Sequence, residues 1–157
     1  MPGIRLVVVF ALLILPFMLR AQNIGKYNLS FNSPAIGSAS SMVLGNGDIS
    51  ANVWVDKSDQ CLYFYIGKTD SRDYLDRQLK VGKIKVQFQP NILDDESNYQ
   101  QEFHLDKSIF TVHTSKGNIR FWVDANNPVI VLDAKTTVRV NATITAKIWH
   151  SQTHEIP

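Results

Sequence analysis

Hydrophobic and polar residues alternate with a period of two along most of this chain, in short segments separated by Asn, Asp, Gly, Ser and Pro. Successive side chains of an extended chain point to opposite faces, so this period predicts half-buried β-strands. Ile49, Ala51, Val53 and Val55 share one face, with Ser50, Asn52 and Trp54 on the other. Asp56-Lys57-Ser58-Asp59 is turn chemistry, and Gln60 to Ile66 returns as an aromatic-rich strand, so the two make a hairpin. Gly82 to Gln89 sets Ile84, Val86 and Phe88 against Lys83, Lys85 and Gln87, and Pro90 ends the run.

Further strands are predicted over Gln101–Leu105, Ser108–Thr114 and Asn118–Asp124, with Gly117 at a hairpin tip expected to supply a positive φ. The unbroken apolar run Val129–Leu132 suits a strand covered on both faces. Thr137 to Trp149 reads as a long final strand with Val138, Val140, Ala142, Ile144, Ala146 and Ile148 on its apolar side. Between these, Lys68 to Leu79 is charged at nearly every step and predicts a long loop across the end of the sheet. The sum, about eight to ten strands with almost no helix, predicts an all-β antiparallel β-sandwich of two stacked sheets; a closed barrel is the alternative.

The N-terminus changes the domain boundaries. Arg5 precedes the apolar run Leu6–Met18, and Ala21 offers a small residue for a signal peptidase, so residues 1–21 read as a cleaved signal peptide. The run falls short of the roughly 20 apolar residues of a membrane span, so no stable span is expected after cleavage. The expected product is exported, periplasmic or extracellular, with residues 22–41 an extended arm that holds one short strand near Tyr27–Phe31, and residues 42–157 the sandwich. Removing Arg5 and Arg20 from sixteen basic residues leaves fourteen against fourteen acidic ones, so the exported domain is formally neutral. Cys61 is the only cysteine, which excludes an internal disulfide, and its apolar surroundings predict burial.

Candidate chemistry is sparse. Lys80, Lys83 and Lys85 are interleaved with strand residues, without a basic helix or an aromatic platform, so no nucleic-acid partner is expected. His104 and His113 lie in neighbouring strands without being direct partners, and His150 and His154 have helical spacing in a segment that follows a strand, so no metal and no cofactor is expected. Asp94-Asp95-Glu96 lacks calcium-loop spacing and reads as a solvated acidic loop. Asp48, Asp70, Asp73, Asp124 and Asp133 fall near strand ends, where a pair such as Asp70 with Asp124 is the minimum for glycoside hydrolysis and a turn-forming role is the alternative. Trp54, Trp122, Trp149, Tyr63 and Tyr65 are either sugar-stacking surfaces or buried sheet aromatics. Gly45-Asn46-Gly47 has no phosphate-loop pattern; it is a tight turn or a backbone that approaches something closely.

The stretch Met42-Val43-Leu44-Gly45-Asn46-Gly47-Asp48-Ile49, then Asn52-Val53-Trp54-Val55, Phe64 to Asp70, Leu79 to Ile84, Trp122 to Asn126 and Pro128-Val129-Ile130, resembles the N-terminal domain of a secreted bacterial family, domain of unknown function number 5703. That family is similar in turn to the N-terminal β-sandwich of glycoside hydrolase family 95. The pattern departs at Val43, Ser50 and Arg72, where Pro, Gly and Trp are usual. The resemblance implies a non-catalytic module that packs on a helical catalytic barrel and helps shape its sugar site, with the chain stopping before that barrel. It places Gly45, Asn46, Gly47, Asp48, Thr69 and Asp70 at the domain interface, near substrate, and transfers no catalytic residue. A stand-alone secreted carbohydrate-binding module is the alternative.

Overall fold

The computed structural model describes residues 23–149, so the expected signal peptide, residues 1–21, and His150 and His154 lie outside the described residues. Ten strands form two antiparallel five-stranded sheets. Sheet 1 runs, in spatial order, β1 (Leu29–Phe31), β6 (Gln100–His104), β7 (Ile109–Thr114), β8 (Gly117–Val123) and β9 (Ile130–Thr136). Sheet 2 runs β10 (Asn141–Ile148), β5 (Gln78–Gln89), β4 (Leu62–Arg72), β3 (Ile49–Val55) and β2 (Met42–Gly45). The arm contributes β1 as an edge strand of sheet 1 and is tied to the end of β3 by Ala35, whose N–H reaches the Val55 carbonyl at 2.8 Å.

The core lies between the sheets and is made of the predicted apolar sides. Ala51, Val53 and Val55 of β3, Leu62 and Phe64 of β4, and Val86 and Phe88 of β5 face Phe110, Val112, Ile119 and Phe121 of sheet 1. The Phe64 and Phe121 rings meet at 5.0 Å, tilted by 58°, a favourable aromatic arrangement. Ile92, Leu93 and Tyr99, from the β5–β6 connection, close one end. Cys61 is buried as expected, and burial pushes its thiol pKa up, which keeps it inert.

Four expectations need correction. The charged run from Lys68 is not a loop: β4 and β5 continue through it to Arg72 and Gln78 as a hairpin, with irregular register after Ile66. Charge there is compatible with strand because the extension is largely exposed on both faces. Val129–Leu132 is not covered on both faces; it opens into β9, an edge strand in which Ile130 and Leu132 pack on the core and Val131 lies across from Trp122. The final strand begins only at Asn141, because residues 137–140 carry the chain from sheet 1 to sheet 2. Its apolar side is not buried: β10 pairs with β5, yet Ile144 and Ile148 are 68% and 64% exposed. Finally, Gly117 has no positive φ. It sits in β8, where a Cβ would stand 2.7 Å from the Lys135 carbonyl oxygen of β9, so glycine is required there for close strand approach.

Candidate functional site

Asn46 organises the end of the sandwich where β2 turns into β3. Its side-chain oxygen accepts from the N–H groups of Asp48 and Ile49 at 3.0 and 2.9 Å, replacing backbone partners in a tight turn. Gly47 adopts φ 93°, and nothing lies within 4 Å of where its Cβ would be, so it serves the turn and approaches no other group. The amide nitrogen of Asn46 leaves the turn and donates to the carbonyls of Asp124 and Asn127, at 2.8 and 3.0 Å, in the β8–β9 connection. One side chain thus clasps sheet 2 to sheet 1. The network also fixes the amide's orientation, since a reversed amide would face donors with donors and acceptors with acceptors.

Both sides of the clasp are themselves braced. The Asp124 carboxylate accepts from the backbone N–H groups of Asn126 and Asn127, both at 2.9 Å, and these bonds with the Asn127 amide hold its pKa below the usual carboxylate range. On the other side, the Asp48 carbonyl accepts the Thr69 N–H at 2.9 Å, and its carboxylate accepts the Thr69 hydroxyl at 3.2 Å. Lys68 Nζ bridges the carboxylates of Asp48 and Asp70 at 3.2 and 2.7 Å, which lowers the Asp70 pKa and raises that of Lys68. Asn46, Asp48, Thr69 and Asp70 are therefore brought together, with Gly45 paired to Ser50 and Gly47 at the turn's tip.

Beyond this cluster the β4–β5 hairpin projects. The Asp73 carboxylate accepts the N–H groups of Leu75 and Arg77 at 3.0 and 2.9 Å and pairs with the Arg77 guanidinium at 2.7 Å, which holds its pKa low. Arg72 pairs with Asp76 at 3.0 Å. The braced tip presents Tyr74 and Leu75 to water, 77% and 56% exposed.

This arrangement offers structure more readily than acid–base chemistry. Asp48 and Asp70 share a lysine, whereas Asp124 caps its own turn, and Asp70 and Asp124 share no hydrogen-bond partner. His104 lies elsewhere, on the outer face of sheet 1. Its Nδ1 lies 3.2 Å from the Asn28 amide nitrogen, and its Nε2 lies 3.2 Å from the Glu102 carboxylate and 3.5 Å from the Thr111 hydroxyl, so both ring nitrogens are engaged by neighbours. Among the described residues no three His, Cys, Asp or Glu side chains gather as metal ligands. The acidic run is a largely exposed loop, as expected, and it is pinned to the β7–β8 turn: Asp94 pairs with Lys116, and Asp95 accepts from Ser115, whose N–H lies at 2.9 Å and whose bonds hold the Asp95 pKa well below the usual range.

The aromatic residues divide between the sheets. Trp122 is on sheet 1, with Arg120 at 5.7 Å from its ring. On the outer face of sheet 2, Trp54 stacks on Tyr63 (5.4 Å, 18°) and meets Tyr65 (4.9 Å), which meets Trp149 (5.1 Å). Lysines stand over these rings, with Lys83 at 4.1 Å from Tyr63 and 5.5 Å from Trp54, and Lys80 at 4.6 Å from Tyr65. Contrary to the expectation from sequence, an aromatic platform does lie beneath Lys80, Lys83 and Lys85, made by the outward-facing rings of the adjacent strands β3 and β4. Trp54 is only 3% exposed beneath it and presents no open face for a sugar. Lys68, between Gly67 and Thr69-Asp70, joins the two carboxylates and is a member of the cluster beyond the expected residues.

The family model described as "Domain of unknown function (DUF5703)", for the N-terminal domain, matches residues 30–157. No curated protein and no solved structure matches the chain.

Proposed function

The chain belongs to the DUF5703 family as its N-terminal domain, and from that premise we propose that it is a non-catalytic, exported β-sandwich module that packs by its clasped end on a helical, glycan-processing catalytic domain and helps shape the sugar site. The observation that carries this reading is the β4–β5 hairpin. Its backbone is braced by Asp73–Arg77 and Arg72–Asp76 while Tyr74 and Leu75 point into water. A rigid tip with exposed aromatic and aliphatic anchors suits insertion into a partner surface, where such residues carry most of the binding energy. Val129, on the clasped β8–β9 connection, is 49% exposed and adds apolar surface. The glycan assignment rests on the resemblance to glycoside hydrolase family 95.

The test is co-purification of the chain with a separately expressed helical domain of the kind that the resemblance implies for its partner. Association is expected, and a Tyr74→Ser/Leu75→Ser double variant should weaken it at least tenfold, on the order of 1.4 kcal/mol or more, at unchanged thermal midpoint. No association, or association indifferent to the double variant, would overturn the reading.

A further inference from the structure

We propose that the outer face of sheet 2 binds a linear acidic polysaccharide, one bearing carboxylate or sulfate groups, through Lys80, Lys83 and Lys147. The polysaccharide part of this assignment rests on the glycan reading above; the requirement for negative charge comes from the face itself.

Register decides which side chains share that face. Tyr65, Lys83 and Lys147 lie side by side across β4, β5 and β10, and Tyr63, Lys85 and Thr145 form the next row. Gln87 and Thr143 form a third pair of hydrogen-bonding side chains. Lys83 and Lys147 are thus direct cross-strand neighbours of like charge, a pairing that disfavours the fold unless something offsets it. Among the described residues the one carboxylate paired with a lysine of this grid is Asp59. It already binds Lys85 at 2.9 Å and the Tyr63 hydroxyl at 2.6 Å. Among the described residues Lys80, Lys83 and Lys147 have no ion pair.

The rings explain how unpaired cations are kept in place. Lys83 over Tyr63 and Trp54, and Lys80 over Tyr65, sit where the ring quadrupole attracts an ammonium. That attraction orients the side chains and leaves their charge intact. The face is therefore a set of pre-positioned cations beside hydroxyl and amide groups, and an anionic polymer would relieve the Lys83–Lys147 repulsion when it binds.

Nucleic acid fits less well. Stacked bases need open ring faces, and Trp54 is closed beneath Lys83. Trp149, 37% exposed at the margin of the grid, adds partly open aromatic surface beside the lysines.

The experiment is affinity electrophoresis of the purified chain with polygalacturonate, dextran sulfate, neutral dextran, a single-stranded oligothymidylate and anionic phosphatidylglycerol vesicles. The expected result is retardation by polygalacturonate, dextran sulfate or both, none by dextran, and binding that weakens steeply with salt. The first two arms distinguish carboxylate from sulfate. Lys83→Gln/Lys147→Gln should weaken binding at least tenfold with an unchanged circular dichroism spectrum, Lys80→Gln should weaken it less, and Lys135→Gln, on sheet 1, should leave it unaltered. Equal binding of dextran, tighter binding of the oligonucleotide or vesicles than of either acidic polysaccharide, or full binding by the Lys83/Lys147 double variant would each overturn the proposal. Tyr74→Ser/Leu75→Ser serves as the separating control. It should leave polyanion binding intact, so failure of the docking reading and failure of this one give different results.

Discussion

Across the outer face of sheet 1, Ser30, Glu102, Thr111, Arg120 and Asp133 fall in one cross-strand row, and its charges meet partners: Arg120 bonds Asp133 at 3.1 Å, and Glu102 lies 3.2 Å from His104. The corresponding face of sheet 2 sets Lys83 against Lys147 and rests its lysines on aromatic rings. The inner faces differ as well. Sheet 1 is lined from β7 to β9 by side chains packed on the core, whereas sheet 2 extends beyond the core at β10, leaving Ile144 and Ile148 in water. Identical alternation therefore has two outcomes, because a period of two specifies which residues share a face and not what lies opposite that face.

The largest effect that tests this contrast is Phe121→Ala. It removes the ring packed on Phe64 from the shared core and should cost about 3–5 kcal/mol in urea unfolding. Next, Asn46→Asp turns the clasp against itself, since a second carboxylate oxygen would replace the amide and face the carbonyls of Asp124 and Asn127. A loss of about 2 kcal/mol is expected, with both sheets retained by circular dichroism. A loss under 0.5 kcal/mol would show that the two sheets do not depend on the clasp.

Acid should act more weakly, through lowered carboxylates. Burial alone would raise the Asp59 pKa, but hydrogen bonds from Tyr63 and Lys85 outweigh it, and the bonds of Ser58 lower that of Asp56. A folded pKa below the unfolded value of about 4 gives stability that is complete above that pH and lost as pH falls through the folded value. Unfolding midpoints should hold steady from pH 7 to about 5 and decline below about 4; a decline centred near pH 6 would require another titrating group. The smallest effect is Ile144→Ala, at about 0.5 kcal/mol or less despite its place in an apolar strand pattern. A loss near that of Phe121→Ala would mean that β10 is covered in solution.

Much of the fold was legible because the buried rows are local. Ile49 to Val55 and Ile84 to Phe88 announce themselves within a few residues. What escaped depends on partners remote in sequence. Asn46 binds a carbonyl 78 residues away, and Lys83 acquires its platform from β3 and β4 and its like-charged neighbour from β10. The charged β4–β5 extension escaped for a different reason: strands exposed on both faces carry no apolar period to read. Asn46, Asp48, Thr69 and Asp70 meet at one turn and its neighbouring strand, but the lysine that joins the two carboxylates and the turn that Asn46 clasps are visible only in three dimensions.

The clasp also predicts how this end of the molecule opens. The amide protons of Asp48, Ile49 and Thr69 are held by acceptors in one continuous chain, from Asn46 to Asp48, and Asn46 is in turn anchored on the Asp124 turn. Loosening any link exposes the rest, so these three amides should exchange with solvent deuterium at a common opening free energy, as one cooperative unit rather than as separately fraying loops.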